Sequence, residues 1–419
     1  MKMLYKNILW VSLFFLVTAC TSNAQPHSGG ESLAEQDTAE YKLSMLIVGD
    51  LMQHQGQIDA ARDTDGIYRY EETFRYVRDE IISVDLAIAN FEVTLGGKPY
   101  QGYPRFSAPD EYLQASIDAG FDVLLTANNH CLDTRKKGLE RTINMMDSLH
   151  IPHLGTYKNQ EERNNNYPFL IEKNGFRIVL LNFTYGTNGI EVEEPNVVNY
   201  MDTAEIASDI LKAKAMHPDI LIAIPHWGIE YVLQPNQQQK QMASWLLEKG
   251  VDHVIGGHPH VLQPMELRNK EKNGGNVVVY SLGNYVSNMS KTNTDGGAML
   301  HLDFVKRGDT VTLENCSYSL VWVSRPVISG HKNFRIYPIQ VADSMLNASE
   351  RAKRDLFKNN MKELLDKYNK DVPELKPVPQ VIGWKEKSIY DLYQEVHSVS
   401  LQLPYMQISS WDGVTFLGE

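Results

Sequence analysis

The chain has 419 residues, of which 42% are hydrophobic and 10% aromatic, enough for one large domain with additions or for two domains. A core of that size needs no disulfide scaffold, so three cysteines do not indicate a small disulfide-rich protein. The formal net charge is −12, and no basic patch interleaved with aromatic residues occurs. Nucleic acid is therefore excluded as an expected partner.

The N-terminus has the pattern of an export signal. Lys2 and Lys6 precede an apolar run over residues 8–19, which is too short for a comfortable membrane span. The run ends in small residues directly before Cys20, which resembles a bacterial lipobox with an acylated cysteine as the first mature residue. A cleaved ordinary signal peptide and an uncleaved anchor are the alternatives.

These patterns divide the chain into four segments. We predict a lipoprotein signal peptide over residues 1–19 and a flexible tether over residues 20–40, which are polar and contain no apolar run. A globular domain follows over residues 41–340, and residues 341–419 form a helical and irregular C-terminal extension. The expected location is the cell envelope, where a lipid on Cys20 anchors the exported protein to the membrane.

Strands and helices alternate along most of the globular domain. Short apolar runs predict strands, and apolar residues spaced three and four apart predict helices. The predicted strands cover residues 41–48, 85–89, 122–126, 169–171, 177–182, 220–224, 252–255 and 276–281. The predicted helices cover residues 70–82, 110–119, 138–149, 204–216 and 237–249. This alternation predicts an α/β fold.

The last third of the chain has a different pattern. Residues 298–305 and 310–322 look like antiparallel strands, with Arg307 and Gly308 at the turn. Residues 343–368 predict a helix that breaks near Asn347, and residues 388–396 predict a short one.

Residues 219–264 contain a βαβ unit with histidines after both strands. His226 follows the first strand, and His258 and His260 follow the second. Parallel strands joined by a helix place their carboxyl ends at one edge of a sheet, where α/β proteins place their sites. Gly256 and Gly257 let the backbone turn tightly before the two later histidines.

Three imidazoles at one sheet edge indicate a metal. Neutral imidazole suits zinc, iron, nickel and related ions, and histidine is the commonest protein ligand for metals. The alternative is that each histidine only forms hydrogen bonds in a loop, since structural polar networks also gather such residues.

Polar side chains also follow the other predicted strands, and together these strand ends form a candidate metal site. Carboxylates, an amide oxygen and imidazoles in one cluster suit a divalent ion that acts as a Lewis acid, such as Mn, Fe or Zn. An Asp after a strand is alternatively a helix cap, and Asn residues are common in turns. The candidate ligands are Asp50, Glu92, Asn129, His226, His258 and His260.

The same residues carry a resemblance to the CapA family of bacterial capsule-synthesis proteins, associated with poly-γ-glutamate. It extends over about residues 43–338 and rests on Gly-Asp50, Asn90-Phe-Glu92, Asn129-His130-Cys-Leu-Asp133, His226-Trp-Gly-Ile-Glu230, His258-Pro-His260 and Leu-Gly-Asn284. The family is similar to calcineurin-like metallophosphoesterases. That relation implies a four-layer α/β/β/α sandwich of metallophosphoesterase type, with one or two metal ions.

The resemblance also implies roles for particular residues. Asn129 and His130 look like the phosphoesterase Asn-His pair, in which the first binds metal and the second assists as a catalytic acid. Two departures stand out: Met52 replaces the histidine of an Asp-x-His motif, and Glu92 stands where a Gly-Asp motif is usual. We expect four further residues to orient the ligands through hydrogen bonds. These are Asn90, Asp133, Glu230 and Asn284.

Two functions are compatible with these expectations. The first is a metal-dependent hydrolase at the cell envelope that cleaves a phosphoester or an amide of a glutamyl polymer, with His130 protonating the leaving group. The second is a non-catalytic component of capsule synthesis or export that holds an acidic polymer in the same cleft. The expected partners are therefore an acidic polymer or phosphoester substrate, and the membrane through the lipid anchor.

Overall fold

The computed structural model describes residues 39–375. Cys20, the signal peptide, the tether and the helix predicted over residues 388–396 lie outside the described residues, and those expectations remain predictions.

Sixteen strands and ten α-helices form the described part of the chain. The strands are β1 Glu40–Leu51, β2 Leu86–Phe91, β3 Val123–Leu125, β4 His153–Leu154, β5 Thr156–Tyr157, β6 Phe169–Lys173, β7 Phe176–Thr184, β8 Val197–Val198, β9 Ile220–His226, β10 His253–Ile255, β11 Met265–Arg268, β12 Asn276–Val279, β13 Asn284–Val286, β14 Gly296–Arg307, β15 Thr310–Ser324 and β16 Arg335–Pro338. The helices are α1 Gln55–Ala61, α2 Glu71–Phe74, α3 Arg78–Ile82, α4 Asp110–Asp118, α5 Arg135–Ser148, α6 Gln160–Asn166, α7 Thr203–Ala215, α8 Gln237–Glu248, α9 Pro326–Ser329 and α10 Ala348–Tyr368. A short 3-10 helix, Asp343–Met345, precedes α10.

The first sheet has eight strands in the order β16-β15-β14-β1-β2-β3-β4, and β13 also pairs with β1. Strands β1 to β4 are parallel, whereas β14, β15 and β16 continue the sheet in antiparallel pairs. The predicted hairpin of the last third of the chain is therefore confirmed as β14 and β15. The carboxyl ends of β1, β2 and β3 meet at one edge.

The second sheet has six strands in the order β11-β12-β10-β9-β7-β6. Its four central strands are parallel, and β9, α8 and β10 form the predicted βαβ unit. The edge strand β6 pairs with β7 through a tight turn at Asn174 and Gly175, which have φ values of 49° and 80°. Positive φ at both central turn residues is typical of two-residue hairpins, which explains the Asn-Gly sequence.

The two sheets pack face to face between two helical layers. In β1, Met45 and Ile47 belong to the core between the sheets, while Leu46 and Val48 belong to the core beneath helices α2, α4 and α5. This alternation follows from the two-residue period of a strand. Helices α7 and α8 pack on the second sheet through buried apolar residues such as Ile210 and Leu246. The fold is therefore the predicted four-layer α/β/β/α sandwich.

One predicted helix is wrong in detail. Residues 70–82 form two short helices, α2 and α3, with a turn between them, rather than one continuous helix. The apolar side chains Phe74, Val77 and Ile81 remain buried in the same core. Their spacing suits a single helix, but two short helices joined by a turn bury the same side chains. The apolar pattern alone therefore does not predict the turn.

Helix α10 packs on the sandwich rather than standing apart from it. Asn347 caps its first turn by accepting hydrogen bonds from the backbone N–H groups of Ser349 and Glu350, which explains the predicted break. On its inner face, Phe357 and Met361 are fully buried in the core between the sheets. The first residues of the predicted C-terminal extension thus share the core of the globular domain.

We expect Phe357→Ala to lower the free energy of unfolding by about 3–5 kcal/mol, because it empties a buried aromatic site. The ring lies against the backbone of Gly296 in β14, so the loss would loosen α10 from the first sheet. Leu356→Ala, one residue away and 49% exposed, is the control and should change stability by less than about 0.5 kcal/mol. Urea denaturation measures both, and equal effects would contradict this packing.

The structure also bears on the cysteines and on membrane-spanning helices. Cys131 and Cys316 are both buried, and neither forms a disulfide within the described residues. Within residues 39–375, no helix has the length and apolarity to cross a membrane.

Candidate metal centre

The first sheet contributes carboxylates to a buried cleft at its carboxyl edge. Asp50 lies near the end of β1 and pairs in register with Asn90 of β2 and Asn284 of β13. Glu92 follows β2 directly. Asp50 and Glu92 are completely buried, so the fold holds two acidic groups away from water. Such burial is costly unless a cation or a proton compensates the charge.

The second sheet contributes imidazoles to the same cleft. His226 is the last residue of β9, and it forms a bridge with Gly257 after β10. His258 and His260 have φ values of 99° and 57°, a region that costs non-glycine residues about 1–3 kcal/mol each. Strain of this kind is typical of functional sites, where the surrounding fold enforces a special geometry.

Gly256 makes this turn sterically feasible. A Cβ atom there would lie 2.3 Å from Nε1 of Trp227 and 2.4 Å from the carbonyl oxygen of Tyr280. Trp227 donates its indole N–H to that same carbonyl at 2.9 Å. The backbone and the buried indole therefore approach each other so closely that only glycine fits.

The acidic and imidazole groups form three overlapping triads of ligand atoms. Within each triad, all ligand atoms lie within 4.8 Å of one another. The triads are Glu92 with His226 and His258, Asp50 with Glu92 and His260, and Glu230 with His258 and His260. Glu92 belongs to the first two triads. We had expected Glu230 only to orient a ligand, and the structure places it within ligand range.

Distances at Glu92 fit a metal ion better than a hydrogen-bonded network. Its Oε1 lies 3.7 Å from Nε2 of His226 and 3.7 Å from Nε2 of His260, too far for hydrogen bonds. That buried oxygen and Nδ1 of His258 have no hydrogen-bond partner within the described residues. A buried polar atom without a partner is unfavourable. Oxygen and nitrogen ligands of this mixture suit Mn, Fe or Zn.

The two carboxyl groups have opposite pKa shifts. Burial raises the pKa of Asp50, but a hydrogen bond with His260 and the charge of His260 outweigh it, and the pKa lies below its usual value. Burial, followed by the negative charge of Asp50, raises the pKa of Glu92 well above its usual value. Without a cation, Glu92 therefore tends to hold a proton.

The imidazoles have lowered pKa values. Burial, reinforced by the charges of His258 and His260, lowers the pKa of His226 well below its usual value. Burial likewise lowers the pKa of His258 to about 3. Both rings are therefore neutral near pH 7 and have a lone pair for a metal, as ligands must.

The neighbouring amides hold these groups in place. Asn90 donates from Nδ2 to Asp50 at 2.7 Å and to Glu92 at 3.0 Å. Asn128 donates to Oδ1 of Asn90 at 3.2 Å, which fixes the orientation of the Asn90 amide. Asn129 and Asn284 place their Oδ1 atoms 3.0 Å from His226 and from His260, respectively. All six predicted ligands therefore lie in one cleft, together with Asn90 and Asn284, which were predicted to orient the ligands.

His130 lies in the same cleft and is positioned by Asp133. Its Nδ1 is 2.8 Å from Oδ2 of Asp133, which also accepts the backbone N–H of Phe106 at 2.7 Å. The ring packs edge-on against Phe106, with centroids 4.5 Å apart. A carboxylate on Nδ1 fixes the proton there and leaves Nε2 for a substrate.

His54 lies near the site, although no sequence motif pointed to it. Its ring packs against Phe106 at 5.2 Å, and its Nδ1 accepts the backbone N–H of Asn288 at 3.3 Å. Burial lowers its pKa to about 4, and the charges of His260 and His130 contribute. Phe106 therefore lies between the rings of His54 and His130 and contacts both. Position 52, two residues after Asp50, carries Met52, which is buried. The only signal in the sequence was a histidine four residues after Asp50.

The fold and the cleft define an α/β sandwich with a candidate centre for divalent metal at the meeting carboxyl edges of its two sheets. Residues 44–289, more than half of the chain, match the family described as bacterial capsule synthesis protein PGA_cap. The chain belongs to this family, which confirms the predicted kinship.

Two curated relatives agree with this assignment. The capsule biosynthesis protein CapA of Bacillus anthracis is 29% identical over 346 residues, which are 78% of this chain and 80% of the relative. The PGA biosynthesis protein CapA of Bacillus subtilis (strain 168) is 28% identical over 277 residues, 64% of this chain and 69% of the relative.

Solved structures of more distant proteins are also similar. A phosphatase from Mycoplasma pneumoniae matches with a TM-score of 0.39 and 12% identity, over 69% of this chain and 96% of that one. A 5'-nucleotidase from Candida albicans matches with a TM-score of 0.41 and 13% identity, over 77% of this chain and 57% of that one. This chain spans little more than half of the nucleotidase, and these low scores carry no functional argument.

Proposed function

We propose that this chain is a metal-dependent hydrolase that acts in bacterial capsule synthesis or processing. The observation that carries the proposal is the pair of ligand triads that share Glu92. The Oε1 atom of Glu92 lies 3.7 Å from two imidazoles and has no hydrogen-bond partner among residues 39–375. A shared carboxylate suits two neighbouring ions, as in two-metal sites. The proposed ligands are Asp50, Glu92, Asn129, His226, His258 and His260.

The side chains around the ligands supply the rest of the chemistry. The proposed ligands would hold a divalent ion, which would supply Lewis-acid chemistry by polarising a substrate oxygen and by making water more acidic. In its doubly protonated form, His130 would give the Nε2 proton to the leaving group and become a neutral ring that keeps its other proton on Nδ1, where Asp133 accepts a hydrogen bond and holds the ring in place. The bond that breaks is a phosphoester or an amide of an acidic capsule polymer. The relative from Bacillus subtilis is a PGA biosynthesis protein, which supports a polymer substrate.

Metal content tests this proposal most directly. After chelation and reloading with Mn²⁺, Fe²⁺ or Zn²⁺, elemental analysis and calorimetric titration should find one or two ions per chain. His258→Ala should lower the metal affinity by at least about tenfold, because mutating a residue that only hydrogen-bonds to a ligand already lowers it about 10–100-fold. His253→Ala, a buried histidine of β10 outside the three triads, is the matched control. If the wild-type protein binds no divalent ion, both the proposed metal centre and the proposed hydrolase function are wrong.

A non-catalytic polymer-binding role is the second candidate. Asn90 donates hydrogen bonds to both buried carboxyl groups, so the cleft is partly compensated even without an ion. A protein that binds metal and an acidic polymer, but cleaves neither phosphoesters nor γ-glutamyl amides, would support this role instead.

We also propose that the mature chain is anchored to the envelope membrane by a lipid on Cys20. We expect Cys20→Ala to release the protein from membranes or to leave it unprocessed, because the acylated thiol would be missing. Membrane fractionation and the intact mass of the mature protein measure this. Ser22→Ala, two residues further on, is the control. Unchanged fractionation and mass in the Cys20 variant would contradict lipidation.

A further inference from the structure

Asn188 is an exposed residue whose side chain contacts two buried residues of the metal cleft. Its Oδ1 accepts a hydrogen bond from Nδ2 of Asn129 at 3.2 Å. Its Nδ2 lies 3.5 Å from Nδ1 of His130. Asn129 and His130 are only 1% and 4% exposed, whereas Asn188 is open to solvent. One side chain therefore connects solvent with a proposed metal ligand and with the proposed proton donor.

A tight turn holds Asn188 in this place. Asn188 and Gly189 have φ values of 54° and 73°, and the backbone N–H of Ile190 donates to the carbonyl oxygen of Thr187 at 2.9 Å. Positive φ at both central residues is typical of a two-residue turn with the sequence Asn-Gly. The hydroxyl group of Thr187 also donates to the carbonyl oxygen of Ile190 at 2.6 Å. Because the turn is already ordered, its use in binding costs little conformational entropy.

The metal cleft sets the orientation of the Asn188 amide. Oδ1 of Asn129 lies 3.0 Å from Nε2 of His226, so this oxygen faces the proposed metal ligands. The amide nitrogen of Asn129 therefore points away from them and donates to Oδ1 of Asn188. An amide has its oxygen and its nitrogen on opposite sides, so Nδ2 of Asn188 is turned toward His130.

Nδ2 of Asn188 has no hydrogen-bond acceptor among residues 39–375. The nearest candidate is Nδ1 of His130, which lies 2.8 Å from Oδ2 of Asp133 and therefore carries a proton that it donates to this carboxylate. A protonated ring nitrogen accepts no hydrogen bond. The amide N–H groups of Asn188 are therefore available to an acceptor that comes from solvent.

We propose that Asn188 donates a hydrogen bond from Nδ2 to an oxygen atom of the substrate that His130 protonates. The oxygen belongs to a phosphoryl group or to a γ-linked glutamate unit, since both offer acceptors to an N–H group. A donor that the fold holds in place beforehand strengthens the binding of an oxygen on which negative charge develops. This inference rests on the proposed role of the cleft as a substrate site.

Removal of the amide tests the donor. Calorimetry on the full chain in detergent micelles measures the affinity for inorganic phosphate and for γ-linked tetraglutamate. Asn188→Gly permits the positive φ and adds no charge. We expect it to lower the affinity for one probe at least about tenfold, the effect of losing a hydrogen bond to a charged group. The probe whose affinity falls identifies the source of the oxygen. Unchanged affinity for both probes, or a wild type that binds neither, would overturn the proposal.

A second variant separates substrate binding from support of Asn129. Asn188→Asp keeps an oxygen for Nδ2 of Asn129 but replaces the N–H donors with an acceptor. We expect this variant to keep the wild-type metal affinity and to lose at least as much probe affinity as Asn188→Gly. If Asn188→Asp binds the probe as the wild type does, Asn188 only orients Asn129 and the proposal is wrong.

The other Asn-Gly turn of the fold supplies the matched control. Asn174 is the first residue of the turn between β6 and β7, with a φ value of 49°. It donates to the carbonyl oxygen of Lys42 near the amino end of β1, whereas Asp50 lies near the carboxyl end. Asn174→Asp and Asn174→Gly should therefore change neither the probe affinity nor the metal affinity.

Metal content of the same samples separates this inference from the proposed hydrolase, because probe binding requires no turnover. If the wild type binds no metal, the hydrolase is wrong, and a loss of probe affinity in Asn188→Gly still assigns the donor. If the wild type binds metal and Asn188→Gly binds both probes normally, the donor is wrong and the hydrolase stands.

Discussion

Glu92→Gln is expected to abolish metal binding in the cleft and to stabilise the metal-free protein near neutral pH. Glu92 belongs to two of the three ligand triads, so a neutral amide removes a charged ligand from both. We expect a loss of metal affinity of at least about a hundredfold, the upper end of what residues behind a ligand contribute. Calorimetric titration and elemental analysis measure this effect.

The stability effect follows from the raised pKa of Glu92. Burial and the charge of Asp50 raise this pKa in the folded protein above its unfolded value. Stability from the protonated group is therefore fully present below the unfolded pKa, and it is lost as the pH rises through the folded pKa. The amide of Glu92→Gln cannot ionise. The metal-free variant should therefore not lose this stability as the pH rises. Urea denaturation of chelated protein at several pH values measures the difference.

A matched control tests whether the effect of Glu92→Gln is specific to the cleft or follows from neutralising any buried carboxylate. Glu350 is also buried, but it caps α10 by accepting hydrogen bonds from Ser324 and from the backbone of Asn347. Glu350→Gln should leave metal affinity unchanged. If Glu92→Gln retained wild-type metal affinity, Glu92 would not be a ligand and the shared-triad geometry would have no functional meaning.

His130→Gln is expected to lower the rate of hydrolysis by about 10²–10⁴-fold, the contribution of a general acid or base, while metal content stays unchanged. The reason is the pair with Asp133, which leaves Nε2 of the ring for the substrate. Steady-state kinetics with a phosphoester probe measure kcat and KM separately. The loss should appear in kcat, because a proton donor acts in the transition state.

Two further variants test this role. Asp133→Asn should also lower kcat and should shift the pH–rate profile, because the amide no longer favours a proton on Nδ1. His301→Gln removes an imidazole that pairs with Glu80 outside the cleft, and it should leave kcat unchanged. A normal kcat in His130→Gln would exclude the proton-transfer role while leaving the metal centre intact.

The sequence by itself determined where the polar groups stand relative to the strands. Apolar runs and helical spacing are local patterns, and they placed Asp50, Glu92 and His226 at strand ends without long-range information. The βαβ unit also followed from local order, because a strand, a helix and a strand so close together pair in parallel. The motifs around these residues pointed to the family that residues 44–289 match.

Only the tertiary structure decided which strand ends meet and at what distance. His260, which follows β10 of the second sheet, and Asp50, in β1 of the first sheet, stand 210 residues apart in the chain, yet their side chains lie 3.1 Å apart. Packing of the two sheets sets that distance, and local sequence patterns do not encode it. The sharing of Glu92 between triads and the packing of His54 on Phe106 arise in the same way. Each depends on contacts across the sandwich, where burial of apolar surface aligns side chains that are remote in sequence.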